Sequence, residues 1–127
     1  MSHYHAIVWI DHQKASIWQL TETEQQHSIV RAPHLQARAD DGKHTKAHHE
    51  AADYPFFDEV AKSLTGAHEI LVIGPAQTKH DFVSYLGKKH AALAGLIVAV
   101  ETADHPSDKQ ILAYARLHFP ALDRMRP

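Results

Sequence analysis

Cysteine is absent from the chain, which excludes disulfides, thiolate-held zinc and iron–sulfur clusters. Glycine is scarce, at five residues. None of these glycines belongs to a P-loop, a nucleophile elbow or a dinucleotide fingerprint, and Gly74-Pro75 lacks the glycine count of a phosphate cradle. No apolar run reaches membrane-spanning length. The opening Met-Ser-His-Tyr-His leads directly into a strand pattern, without the apolar core of a signal peptide. A cytoplasmic protein with no membrane partner is therefore expected. An excess of one charge is missing too. Lys and Arg number 13, Asp and Glu 15, and the formal net charge is −2. Any attraction for a polyanion must come from a local patch, and DNA is not an expected partner.

Histidine is in excess, with thirteen in 127 residues. A chain of this length forms one domain, residues 1–127, that can bury roughly two thirds of its unfolded surface. Two apolar runs rich in β-branched and aromatic residues, 4–10 and 15–20, flank Asp11-His12-Gln13-Lys14 and read as a hairpin. A weaker third strand, 25–31, centres on Ile29 and Val30. From 32 to 53 apolar residues nearly vanish, and charges and histidines predict a long, mobile, His-rich loop.

Order returns at Tyr54, with Pro55 suited to a first helical turn. Phe57, Val60, Ala61 and Leu64 are spaced for one helix face, and Gly66 ends the helix. The run 70–73 is too short for a helix and suits a strand covered on both faces. Thr78 with Asp81 predicts a capping box opening a helix to about residue 92, with Phe82, Tyr85, Leu86 and Leu93 inward. A fifth strand follows at 96–100. Ser107 with Gln110 then predicts a second capping box, on a last helix lined by Ile111, Ala115 and Phe119. The order β-β-β-α-β-α-β-α predicts an α/β fold, a mixed sheet with helices on both faces.

Two segments carry a resemblance. They are Ala6-Ile-Val-Trp-Ile-Asp-His-Gln-Lys-Ala-Ser-Ile-Trp18 and Ile70-Leu-Val-Ile-Gly-Pro-Ala-Gln-Thr-Lys-His-Asp-Phe82, with the stretch 104–111 in support. The chain resembles the middle domain of the archaeo-eukaryotic peptide-chain release factors and of the ribosome-rescue factor Pelota. It looks like the stand-alone bacterial "translational machinery protein" form of that domain. Gly-Pro-x-x-Thr-Lys-x-x-Phe is the most specific part of the likeness. The resemblance implies an RNase H-like fold and a role at the ribosome or on tRNA. Release factors carry Gly-Gly-Gln in the loop before the first helix. Here that loop has Gly42 as its only glycine, so peptidyl-tRNA hydrolysis is not expected. Binding without catalysis, in rescue or dormancy, is what remains.

The candidate RNA- and ribosome-binding residues are Arg31, Arg38, Lys43, His44, Lys46, His48 and His49, in or beside the loop, and Lys79 on an exposed first helical turn. Lys and Arg suit phosphates, and histidine can stack on bases. His44 and His48 stand four apart and would share a helix face, with His49 or Glu50 as a further ligand. HExxH is absent, however, and no metal or other cofactor is expected. Two alternatives from other classes stand beside this reading. One is a metal-dependent RNA hydrolase using acidic residues at strand ends, such as Asp11, Glu101 and Asp104, although Asp11 and Asp104 also suit plain turns. The other is a protein-interaction module acting through an exposed sheet edge.

Overall fold

In the computed structural model, the described residues are 4–21, 24–32 and 46–119, with only the backbone described for 46–53 and 118. Five strands form one mixed sheet. β1 (Tyr4–Ile10), β2 (Lys14–Leu20) and β3 (Gln25–Arg31) make an antiparallel meander, and β4 (Ala67–Gly74) and β5 (Ile97–Thr102) run parallel to β1. The spatial order is β3-β2-β1-β4-β5. The helices are α1 (Lys46–Ser63), α2 (Thr78–Lys89), the short α3 (Ala91–Ala94) and α4 (Asp108–His118). The mixed sheet with helices on both faces is the expected α/β arrangement.

Alternation along the strands divides the core. Ala6, Val8, Ile10, Ile17, Ile70 and Val72 point to one face, under Phe56, Phe57, Val60 and Leu64 of the α1 segment and Phe82 and Leu86 of α2. Ile7, Trp9, Leu71 and Ile73 point to the other, under Ile111 and Ala115 of α4 and the following Phe119. β1 is buried at all seven positions, as a strand between two helical layers must be. β3 is exposed at every position but Val30, the signature of an edge.

Several boundaries differ from expectation. The loop reading of 46–53 is corrected, because α1 starts at Lys46 and holds Pro55 inside it. Ala47, Ala51 and Ala52 are strong helix formers, and Pro55 costs the ladder one donor without ending it. The rest of that loop, 33–45, lies outside the described residues. The helix foreseen to run to residue 92 breaks at His90, whose backbone leaves the helical region (φ −142°, ψ 61°). Thr78 is not a cap. Gln77 takes that position, already in helical conformation and without a side-chain cap bond, and its Nε2 lies 3.5 Å from Asp81 Oδ1. The Ser107–Gln110 box forms as expected, with bonds of 2.8 and 3.2 Å. Gly66, at φ 91°, turns the chain after α1.

Gly74 ends β4 where its backbone meets the end of β1. A Cβ there would stand 2.3 Å from the Ile10 carbonyl oxygen. No flexible side chain can yield, so the strands would have to part. Gly74→Ala is expected to destabilise the fold by about 3 kcal/mol, read as a fall in the urea midpoint. An unchanged midpoint would mean that the strand ends are not packed this closely.

Candidate nucleic-acid interface

The parallel strands finish together at one edge of the sheet, at Ile10, Gly74 and Thr102. Open α/β sheets place ligands beyond this edge. The β1–β2 turn is built there by Asp11, whose Oδ1 accepts the backbone N–H groups of Gln13 (2.8 Å) and Lys14 (2.9 Å). This carboxylate shapes the turn, as its position in the sequence suggested. Ala32 N–H reaches the Gln13 carbonyl at 2.9 Å and brings the end of β3 back to the same turn. Arg31 thereby stands directly across from Lys14.

The far end of α1 fixes its direction. Tyr4 Oη, at the start of β1, donates to the carbonyls of Ser63 (3.1 Å) and Thr65 (2.9 Å), and Gln19 Nε2 donates to Ser63 at 2.9 Å. α1 therefore runs opposite to β1. Its 18 residues rise about 27 Å, so it begins at the edge where β1 ends. Lys46, His48 and His49 belong to the first turn of α1, while Arg38, Lys43 and His44 lie outside the described residues.

Lys79 corrects an expectation. It is only 3% exposed, and its Nζ donates to the Ala76 carbonyl in the turn before α2. The ammonium ties down the Gly74–Gln77 turn instead of standing free on the first helical turn. Its stem is covered, as long cationic side chains often are.

Two histidines hold structural posts. His90 Nε2 lies 2.9 Å from Asp58 Oδ1, and Tyr85 Oη donates to the same oxygen at 3.1 Å. The His90 bond, then the Tyr85 bond, hold the Asp58 carboxyl below its ordinary value. The cluster ties α1 to the end of α2. His5 is buried beneath Phe119, with ring centroids 4.9 Å apart, and its Nε2 lies 3.1 Å from Glu69 Oε1. Burial pushes the imidazole below its ordinary value against the pull of Glu69, and His68 pushes the same way as burial. Neither role was read from the sequence, since both partners are distant along the chain.

The sequence reading also missed the sheet face over β2 and β3. Lys14, Ser16 and Trp18 alternate along β2, and His27, Ile29 and Arg31 face them in register from β3. Strict alternation within these strands was the available signal. Among the described residues, no three His, Asp or Glu side chains form a metal-holding group, and no helix is long and apolar enough to cross a membrane.

No protein-family model matches the chain, and no curated protein matches it in sequence. Solved structures do match its fold. Pelota of Archaeoglobus fulgidus aligns over 96% of this chain with TM-score 0.64 and 16% identity, the chain spanning 32% of that protein. An archaeal translation termination factor, aRF1, aligns over 96% with TM-score 0.64 and 13% identity, the chain spanning 36% of it. Dom34 of S. cerevisiae, a translation termination-like factor involved in RNA quality control pathways and interacting with Hbs1, aligns over 95% with TM-score 0.55 and 11% identity. The chain spans about a third of each of these proteins. It has the fold of a Pelota/release-factor-like domain.

Two outcomes follow from the buried groups. Lys79→Met leaves the Ala76 carbonyl without its donor and is expected to cost about 1–2 kcal/mol in urea unfolding. An unchanged midpoint would return Lys79 to the solvent. His5 has a folded pKa below its ordinary 6.5, so between those values the unfolded chain binds more protons. Its contribution is complete above about 6.5 and is lost as pH falls below it. Asp58, depressed from 3.8, adds a second loss at lower pH. Thermal scans of wild type and His5→Phe from pH 8 to about 4 should show the first step only in wild type; identical curves would remove His5 as its source.

Proposed function

We propose that the chain is a translation-associated factor that binds the ribosome or tRNA without catalysing peptide release, in rescue or dormancy. The observation that supports this reading best is the fold held in common with Pelota, aRF1 and Dom34 over 90–96% of the chain. Arg31 ends β3 and Lys46, His48 and His49 open α1, and the connection between these two elements holds Arg38, Lys43 and His44. This gives phosphates and bases a surface to meet. Residues 32–53 are the proposed rRNA contact, and the setting is the cytoplasm. The absence of Gly-Gly-Gln from this connection argues for binding over hydrolysis, and no cofactor takes part. The second reading, a protein-binding module, draws on β5, an outer strand with Val98 42% exposed.

Ribosome co-sedimentation tests the proposal. Binding should strengthen as pH falls from about 7.5 to about 6, where exposed histidines gain charge, and weaken with added salt as phosphate contacts release counterions. Replacing Arg38, Lys43, Lys46 and His48 with alanine should reduce binding about tenfold or more. The melting temperature should hold, because alanine serves the start of α1 at least as well. Binding that is flat in pH and indifferent to the four changes would remove this surface as the contact.

A further inference from the structure

α4 packs over β1, β4 and β5 and stops short of the meander's outer edge. Ile29 is left 44% exposed, with His27 and Arg31 exposed beside it. A cavity of about 120 Å³ opens between this bare face and the start of α4. Two ring pairs flank it. Trp18 and His27 stack at 4.0 Å with planes 8° apart, and Trp9 and His105 lie at 5.3 Å and 44°. Lys14 and Asp108 line it from opposite sides.

The two tryptophans differ in one respect. Trp9 Nε1 donates to the carbonyls of Ala103 (3.1 Å) and Asp104 (3.0 Å). Trp18 is 5% exposed, and its Nε1 is buried without a partner among the described residues. A buried N–H left unpaired is costly, and native cores rarely keep one. The charges beside it are also unfavourable for the free protein. Lys14 and Arg31 stand directly across the strands from each other, and among the described residues neither meets a carboxylate. Like charges so placed repel. The repulsion between these two cations falls if an anion lies along the rim of the cleft.

We propose that this cleft is a nucleobase site for single-stranded RNA. One base sits between the two ring pairs, while its phosphates meet Lys14 and Arg31. The cavity is well below the size that takes a whole drug-sized ligand, which suits one planar ring with sugar and phosphate outside. Asp108 accepts from an exocyclic amino group, so cytosine and adenine bind in preference to uracil. The site lies apart from residues 32–53 and stands on its own geometry; it can fail while ribosome binding holds, and the reverse.

The test is an ¹⁵N titration of the whole chain with short oligocytidylate, oligoadenylate and oligouridylate, followed at the indole N–H resonances and by tryptophan fluorescence. Trp18→Phe assigns the signals. The Trp18 resonance should move, with oligocytidylate and oligoadenylate binding about threefold or more tighter than oligouridylate. His27→Ala with Lys14→Gln should weaken this about tenfold, and Arg31→Gln alone should weaken it less. Both changes are at the surface, and circular dichroism verifies their fold. Arg38→Ala with Lys43→Ala should leave it unchanged. Inorganic polyphosphate should leave the Trp18 resonance in place. The proposal is overturned if no oligonucleotide moves that resonance at millimolar concentration, if polyphosphate moves it equally, if uridylate binds as well, if binding survives the double change, or if only apolar peptides perturb the cleft.

Discussion

The fold depends on the pairing of β1 with both its neighbours. Seven consecutive residues are buried, and the strand's backbone groups are bonded to β2 on one side and β4 on the other. Its side chains supply both cores in alternation, so a slip of one residue would exchange the two faces and ruin both. Gly74 is where this constraint is tightest, because the β4 end must come against the Ile10 carbonyl before the chain turns into α2. The turn that follows is held by Lys79, a cation given to structure. The parallel neighbours also set the direction of every connection. That is why the starts of α1, α2 and α4 all collect at the edge where the proposed contacts lie.

Much of this frame was legible. A run such as Ile70-Leu-Val-Ile73 bounded by Gly74-Pro75 can only be a covered strand. The Ser107–Gln110 box is a local device that needs no distant partner. The misreadings share a cause. Proline and a thinning of apolar residues were taken to start α1 at Tyr54, but helix propensity within 46–53 extends it back to Lys46. Thr78 looked like a cap because it precedes Asp81, yet the chain arrives at Gln77 already helical. The burial of Lys79 depends on how the β4 turn lies against its neighbours, which no local pattern encodes. His90 breaks its helix beside Asp58, thirty-two residues away.

The candidate site was legible only in part. Arg31 is brought back to the β1–β2 turn by the Ala32–Gln13 bond, and α1 runs opposite to β1. The β2–β3 face was not seen, although β2 and β3 alternate along it, and Trp9 and Trp18 both belong to the core on that side of the sheet. Packing is right for both. What separates them is hydrogen bonding across 94 residues of sequence for Trp9 and its absence for Trp18, and a tryptophan's partner cannot be read from its neighbours in the chain.

The histidines that drew notice in the sequence are not one feature. Among the described residues they divide by environment. His5 is sealed against Phe119 and Glu69, His90 is bonded to Asp58, His27 covers Trp18, and His105 lies over Trp9 beside Asp104. Each of these rings joins two elements that are distant in sequence, or caps an aromatic surface. A metal centre needs imidazoles that converge, whereas these are spread from the sealed start of β1 to the open face over β3. Imidazole suits such posts because it is flat enough to stack and polar enough to bond a carboxylate, and neutral imidazole tolerates burial at a smaller cost than a permanent charge. The same property links the posts to pH. Protonation puts a charge on the buried His5 ring and weakens it as a core residue. Acidification thus loosens the seat of this ring beneath Phe119, the residue that follows the last helix.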